Sequence, residues 1–190
     1  MTDPSSLEQQ RRSLLQSVAG LAVAGLAGDA ARAAPAPAPA GQPGDFDFLA
    51  GNWKISHRRL KKAGSDDWDL FKGEATCWTL LGGAGSVEEL RIPERGFSGI
   101  GLRLLDVERR VWNDYWVNGR SGVLGTPGLA GGFERGVGTF LAEDRDGDKP
   151  ILVRGVWDRI TPTSCRWHQA SSTDGGKTWA ADWFMDWVRA

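Results

Sequence analysis

Cys165-Arg166-Trp167-His168-Gln169-Ala170-Ser171-Ser172-Thr173-Asp174-Gly175-Gly176-Lys177-Thr178-Trp179-Ala180-Ala181-Asp182-Trp183-Phe184-Met185-Asp186-Trp187 reads as two alternating runs folded about a turn. Side chains of an extended chain alternate between faces. Cys165, Trp167 and Gln169 therefore share one side, with Arg166 and His168 on the other. Trp179, Trp183, Met185 and Trp187 keep one phase in the second run, and Asp182 and Asp186 take the opposite one. Between them, Ser172 to Trp179 fits the S-x-D-x-G-x-T-W pattern of an Asp-box hairpin. Its aspartate accepts backbone N–H groups in the turn, its glycine supplies a positive φ, and its tryptophan packs back on the hairpin. Sialidase-like propellers carry this unit once per blade. It occurs once here, so the motif reads as a structural turn and a propeller is excluded.

The chain before this hairpin repeats the same alternation. Trp53–Leu60, Leu70–Leu80, Ser86–Arg91, Ile100–Asp106, Val111–Asn118, Gly136–Glu143 and Ile151–Ile160 join Ser164–Ser171 and Trp179–Arg189 as candidate strands. No stretch from Asp45 onward sustains a helical period. Leu105 to Arg110, Glu143 to Asp148 and Thr173 to Lys177 read as hairpin connections. Short links favour antiparallel neighbours, and closure removes exposed edges. The expectation is an all-β fold: a single antiparallel up-and-down β-barrel of about eight to ten strands.

Trp53, Ile55 and His57 share a phase, as do Trp112, Asp114 and Trp116, while Lys54 and Arg58 face the other way. The side carrying the tryptophans also carries His57, Arg59, Asp114 and Gln169. A buried polar group costs a few kcal/mol unless something pairs with it. These groups therefore pair with one another, for instance in an Arg59–Asp114 bridge, or with a ligand.

At 190 residues the chain is long enough for one substantial domain. Its 23 basic and 24 acidic residues leave a formal net charge of −1, so no global field draws in nucleic acid or an anionic membrane surface. Each of its 10 tryptophans can remove about 150–250 Å² from water, so aromatic packing dominates the core.

The N-terminus reads as a targeting segment. Gln10-Arg11-Arg12-Ser13-Leu14-Leu15-Gln16 precedes an uncharged Ala/Gly/Leu/Val run from Ser17 to Gly28, followed by Ala31-Arg32-Ala33. The run is too short and too weakly apolar to anchor in a bilayer, and it lacks the polar face of an amphipathic helix. Paired arginines before such a run resemble a twin-arginine export signal, here residues 1–33 with cleavage after Ala33. Residues 34–44 are an Ala/Pro-rich linker, and the barrel domain spans 45–190. The expected location is periplasmic or secreted. The partners are the twin-arginine export machinery and a small hydrophobic or aromatic molecule, with no nucleic acid and no membrane span in the mature chain.

Several motifs fail on inspection. An EF-hand loop from Asp144 would need glycine at Lys149 and glutamate at Gly155. Gly82, Gly83, Gly85, Gly99 and Gly101 open no helix that could meet a pyrophosphate. Nucleophile-elbow, HExxH and CxxC patterns are missing from the sequence. With only two histidines, no metal set is called for and no cofactor is expected. A haem or nitric-oxide barrel ligated by His57 is a minor alternative, since His168 falls on the outward face. Arg59, Asp114 and Tyr115 form a candidate acid–base set, so an isomerase or lyase in the same barrel is a further alternative. Cys77 and Cys165 read as buried free thiols rather than a bridge.

Asp45-Phe46-Asp47-Phe48-Leu49-Ala50-Gly51-Asn52-Trp53, Arg58-Arg59-Leu60, Leu81-Gly82-Gly83, Tyr115-Trp116, Arg166-Trp167 with the Asp-box, and Met185-Asp186 together resemble the bacterial domain of unknown function 1579. The resemblance covers nearly the whole mature chain. It implies a calycin-type barrel, the group that includes lipocalins, with an internal cavity and no catalytic residues to carry over. The reading is an exported binding protein whose cavity, lined by Trp53, Trp112, Trp116, Trp167 and Trp183, holds an apolar or aromatic ligand. His57, Arg59, Asp114 and Gln169 would orient the ligand's polar end.

Overall fold

The computed structural model describes residues 40–62 and 64–190. The proposed export signal and most of the linker lie outside the described residues. Ten strands follow one another: β1 (Gly51–Leu60), β2 (Trp68–Leu80), β3 (Gly85–Ile92), β4 (Phe97–Asp106), β5 (Val111–Asn118), β6 (Leu129–Glu134), β7 (Val137–Asp146), β8 (Lys149–Asp158), β9 (Ser164–Ser172) and β10 (Ala180–Arg189). Each pairs antiparallel with its sequence neighbour, and β1 closes on β10 with Trp53 opposite Arg189 and Arg59 opposite Trp183. The up-and-down barrel is thus a complete ring.

Strand β6 has no counterpart in the alternation. Its Leu-Ala-Gly-Gly-Phe-Glu sequence carries too few side chains to show a phase. Gly131 is required by close approach: a Cβ there would sit 2.0 Å from the Thr139 carbonyl oxygen of β7. β6 meets β5 only from Trp112 to Asp114. Above that, the loop covers β5 through the Gly125 N–H to Trp116 O bond of 3.0 Å.

The two ends of the barrel differ. At one end the segment from Gly41 to Ala50, with a 3₁₀ turn at Asp47–Leu49, lies across the opening. Gly41 N–H donates to Arg110 O at 2.7 Å and Gly44 N–H to Gly83 O at 3.0 Å. Phe46 and Leu49 drop into the barrel, 2% and 0% exposed. Phe46 meets Trp112 and Phe133 edge-on, both at 4.9 Å between centroids. Trp53 Nε1 donates to Leu49 O at 2.7 Å, and Trp112 Nε1 to Asp45 Oδ2 at 3.0 Å. Arg189 lies over the Trp53 ring at 4.0 Å and donates to the carbonyls of Phe48 and Ala50. This end is a hydrogen-bonded aromatic plug.

The opposite end carries the β1–β2, β3–β4, β5–β6, β7–β8 and β9–β10 connections. The acidic run after Glu143 continues as strand to Asp146 and turns only at Gly147-Asp148. The Asp-box forms as its pattern requires. Asp174 Oδ1 accepts the N–H groups of Lys177 and Thr178 at 3.0 and 2.9 Å, and Trp179 Nε1 donates to Gly176 O at 3.0 Å. These donors hold the Asp174 carboxyl well below the usual carboxylate range.

Two expectations of phase are corrected here. The pairing of β10 with β9 shifts register between Ala181 and Trp183, and this irregularity breaks the alternation assumed to run from Trp179 to Trp187. Trp179 packs on Arg154, 4.3 Å from the guanidinium carbon, outside the shared interior. Asp182, expected to face outward, instead accepts a hydrogen bond from Gln169 Nε2 at 3.3 Å. Cys77 and Cys165 are both free and buried, and burial pushes the Cys165 thiol up to about 12.

Candidate functional site

Three neighbouring strands send ionisable side chains into the middle of the barrel: Glu88 from β3, Arg103 from β4 and Asp114 from β5. Register places Arg103 opposite Asp114 and Glu88 opposite Gly101. Gly101 leaves the space in which they meet, since a Cβ there would lie 3.0 Å from Arg103 Nη2 and 3.1 Å from Glu88 Oε2. Arg103 Nη2 donates to Glu88 Oε2 at 2.5 Å, and its Nε lies 3.5 Å from Asp114 Oδ1. The guanidinium carbon also sits 5.2 Å from the Trp157 ring centroid and 5.3 Å from that of Phe46. Burial works against the guanidinium charge, but Asp114 and Glu88 together outweigh it and hold the Arg103 pKa above its ordinary value. The cation is therefore permanent.

Above this cluster lies a cavity of about 80 Å³. Trp116, Trp157, Trp167, Tyr115 and Leu129 form its walls, while Asp114 and Gln169 supply polar edges. Glu88 and Asp114 both line the cavity, and the Asp114 side chain, 17% exposed against 2% for Glu88, is the more accessible of the two carboxylates. Trp157 Nε1 and Arg103 Nη1 are buried donors without a hydrogen-bond partner among the described residues.

Of the residues singled out from sequence, Asp114, Trp116, Trp167 and Gln169 do line this cavity. Trp53 and Trp112 do not: both belong to the plug, where their indole N–H groups are engaged. His57, Arg59 and Trp183 form a second cluster towards the end opposite the plug. Trp183 Nε1 donates to His57 Nδ1 at 3.3 Å, His57 stacks on Phe71 at 4.4 Å, and Arg59 covers the Trp183 ring at 4.8 Å. Trp183 in turn meets Trp167 edge-on at 5.9 Å, so this cluster adjoins the cavity wall. Desolvation lowers the Arg59 pKa, opposed by the charges of Asp182 and Asp69. Burial raises the Asp182 carboxyl, with Arg59 pulling the other way. Among the described residues, Arg103 reaches Asp114 in the cavity, where the alternation had suggested Arg59.

Glu88, Arg103, Leu129, Val153, Trp157 and Met185 are among the cavity residues that sequence reasoning missed. Glu88 did leave a signal, being in phase with Leu90 and Ile92, both buried with it on β3. Arg103 left none, because Leu102, Leu104 and Leu105 surround it.

Haem does not fit His57. A Cβ added at Gly73 would stand 2.6 Å from His57 Nε2, and Phe71 covers one ring face, so a macrocycle on that nitrogen would collide with β2. His168 faces outward as expected, stacked on Phe184 at 5.7 Å with Asp158 Oδ2 3.8 Å away, and burial pulls its pKa down. The acid–base set does not assemble either. Asp114 and Tyr115 border the cavity, but Arg59 sits with the His57–Trp183 cluster. Among the described residues no helix is long and apolar enough to cross a membrane.

No protein-family model and no curated protein matches the sequence. Among solved structures, the chain is similar to a redesigned β-barrel at 10% identity and a TM-score of 0.43, covering 79% of this chain and 98% of that one. It is also similar to a protein of unknown function from the DUF3598 family of Nostoc punctiforme, at 11% identity and a TM-score of 0.41. That likeness covers 80% of this chain and 51% of the other, so the chain spans about half the length of the Nostoc protein.

Proposed function

We propose that this chain is an exported carrier that holds a small aromatic or apolar molecule inside its barrel. The observation that supports the reading is the contrast within one closed interior. One end is sealed by Phe46 and its neighbours, while the middle keeps a cavity walled by Trp116, Trp157 and Trp167 with Asp114 and Gln169 at its edge. Ligand sites are mostly apolar concavities with a few placed polar groups. Drug-sized ligands occupy about 300–1,000 Å³, so a cavity of about 80 Å³ suits a small ring rather than a lipid chain.

The paired arginines Arg11 and Arg12 and the Ala31-Arg32-Ala33 site support twin-arginine export to the periplasm. The residues from Asp45 to Trp53 and around the Asp-box resemble domain of unknown function 1579, which favours a calycin-type carrier, though no family model matches the chain. Titration of intrinsic tryptophan fluorescence with small aromatics, quinones and lipids tests the binding reading. Saturable change with small aromatics alone is the expected result, and no saturable change with any of them would overturn it. Native mass spectrometry of protein recovered from its own periplasm would give the mass of a retained ligand.

A further inference from the structure

We propose that the guest of the mid-barrel cavity is an uncharged aromatic molecule bearing an acceptor oxygen, a carbonyl or a hydroxyl, which Arg103 Nη1 and Trp157 Nε1 receive while its ring lies against Trp116 and Trp167. This rests on the small-molecule reading above and narrows its ligand class.

Unmet donors carry the argument. Arg103 and Trp157 both line the cavity, and they adjoin, the guanidinium carbon standing 5.2 Å from the Trp157 ring centroid. Arg103 Nη2 donates to Glu88 Oε2, and Nε lies 3.5 Å from Asp114 Oδ1. Nη1 and Trp157 Nε1 have no hydrogen-bond partner among the described residues, although Arg103 is only 4% exposed and Trp157 1%. Buried donors are paired almost everywhere in folded proteins, because one left unmet keeps its desolvation cost. Trp187 Nε1 shares this lack, but Trp187 packs against Trp53 and is not part of the cavity lining. Only at Arg103 and Trp157 do two such donors belong to neighbouring walls of one hollow.

Both groups donate and neither accepts, so what completes them is a lone pair. Charge then selects its bearer. Glu88 answers the guanidinium at 2.5 Å and lines the same cavity, so a guest carboxylate would set a further anion beside it. An ammonium carries three donors and no lone pair, and meets these two N–H groups with more of the same. A carbonyl or hydroxyl oxygen accepts from them without adding charge. Size sets the rest: a water-sized guest needs about 10–15 Å³, so a volume of about 80 Å³ holds a handful of such units, the scale of one ring with a short arm.

Calorimetric and fluorescence titrations of the whole chain with toluene, acetophenone, benzyl alcohol, benzylamine and benzoate present one ring with no oxygen, a carbonyl, a hydroxyl, a cation and an anion. Acetophenone and benzyl alcohol are expected to saturate, acetophenone about tenfold tighter than toluene, as hydrogen bonds to a charged group imply. Benzylamine and benzoate are expected to bind more weakly than either. Trp157→Phe keeps the ring and removes its N–H, and should weaken acetophenone while leaving toluene unchanged. If toluene, benzylamine or benzoate binds as tightly as acetophenone, the acceptor assignment falls and the small-molecule reading stands. If none of the five saturates, both fall. The comparison among ligands uses the unaltered chain, so a poorly folding variant cannot shield the proposal.

Discussion

Trp53 and Trp112 at the plugged end differ from Trp116, Trp157 and Trp167 in the middle of the same barrel. All five follow the same inward phase. The plug tryptophans donate to Leu49 O and Asp45 Oδ2 and are packed by Phe46, Leu49 and Arg189. In the cavity, Trp157 Nε1 has no acceptor among the described residues, and Trp116 and Trp167 are only partly buried. An unpartnered indole N–H does not by itself separate the two regions, since Trp187 Nε1, buried against Trp53, also has no partner among the described residues; the half-burial of Trp116 and Trp167 does. Alternation alone cannot separate the two, because both produce an inward indole. The difference comes from the segment Gly41 to Ala50, which supplies acceptors and apolar filling at one end only.

The most damaging change should be Arg103→Met, which leaves Glu88 buried without its cation. Removing one partner of a buried ion pair costs about 3–5 kcal/mol, to be read as a lower urea midpoint. The double change Arg103→Met with Glu88→Gln should recover part of it. A loss below about 1 kcal/mol for the single change would mean that the pair is solvated. On the plug side, Phe46→Ala should cost about 3–5 kcal/mol, as expected when a fully packed aromatic is cut to a methyl.

A smaller effect is expected from Trp167→Phe. It keeps an aromatic wall, so stability should fall by less than about 1.5 kcal/mol while guest affinity weakens. Trp53→Phe should do the reverse, losing the bond to Leu49 O and leaving affinity unchanged. The smallest effect belongs to the Asp-box. The Asp174 pKa is depressed in the folded chain, so its contribution is present above the ordinary carboxylate value of about 3.9. It is lost as pH falls from there towards the folded value. Asp174→Asn should therefore remove the part of the acid destabilisation that falls below about pH 4, leaving the profile at neutral pH flat.

The ring of strands was legible because the alternation is local and repeated. β5 runs from Val111 to Asn118 as the sequence suggests, and nine of the ten strands have a counterpart in it. β6 was not legible, since its pairing depends on Gly131 meeting the β7 backbone, a contact that no side-chain pattern records. Half of the site was hidden for a related reason. In β4 the inward positions are Gly99, Gly101, Arg103 and Leu105, while Leu102 and Leu104 face the other way. Hydropathy thus points the strand the wrong way round, and only the neighbouring register reveals Arg103 as interior. Asp182 was misplaced because an irregularity in register is silent in sequence.

Fluorine NMR of the chain carrying 5-fluorotryptophan, with resonances assigned by single Trp→Phe changes and titrated with benzylamine and benzyl alcohol, compares the two regions directly. The account predicts saturable shifts at Trp116, Trp157 and Trp167 with at least one of these ligands, while Trp53 and Trp112 stay where they are. Shifts centred on Trp53 and Trp112, or no saturable shift at any tryptophan with either ligand, would contradict it.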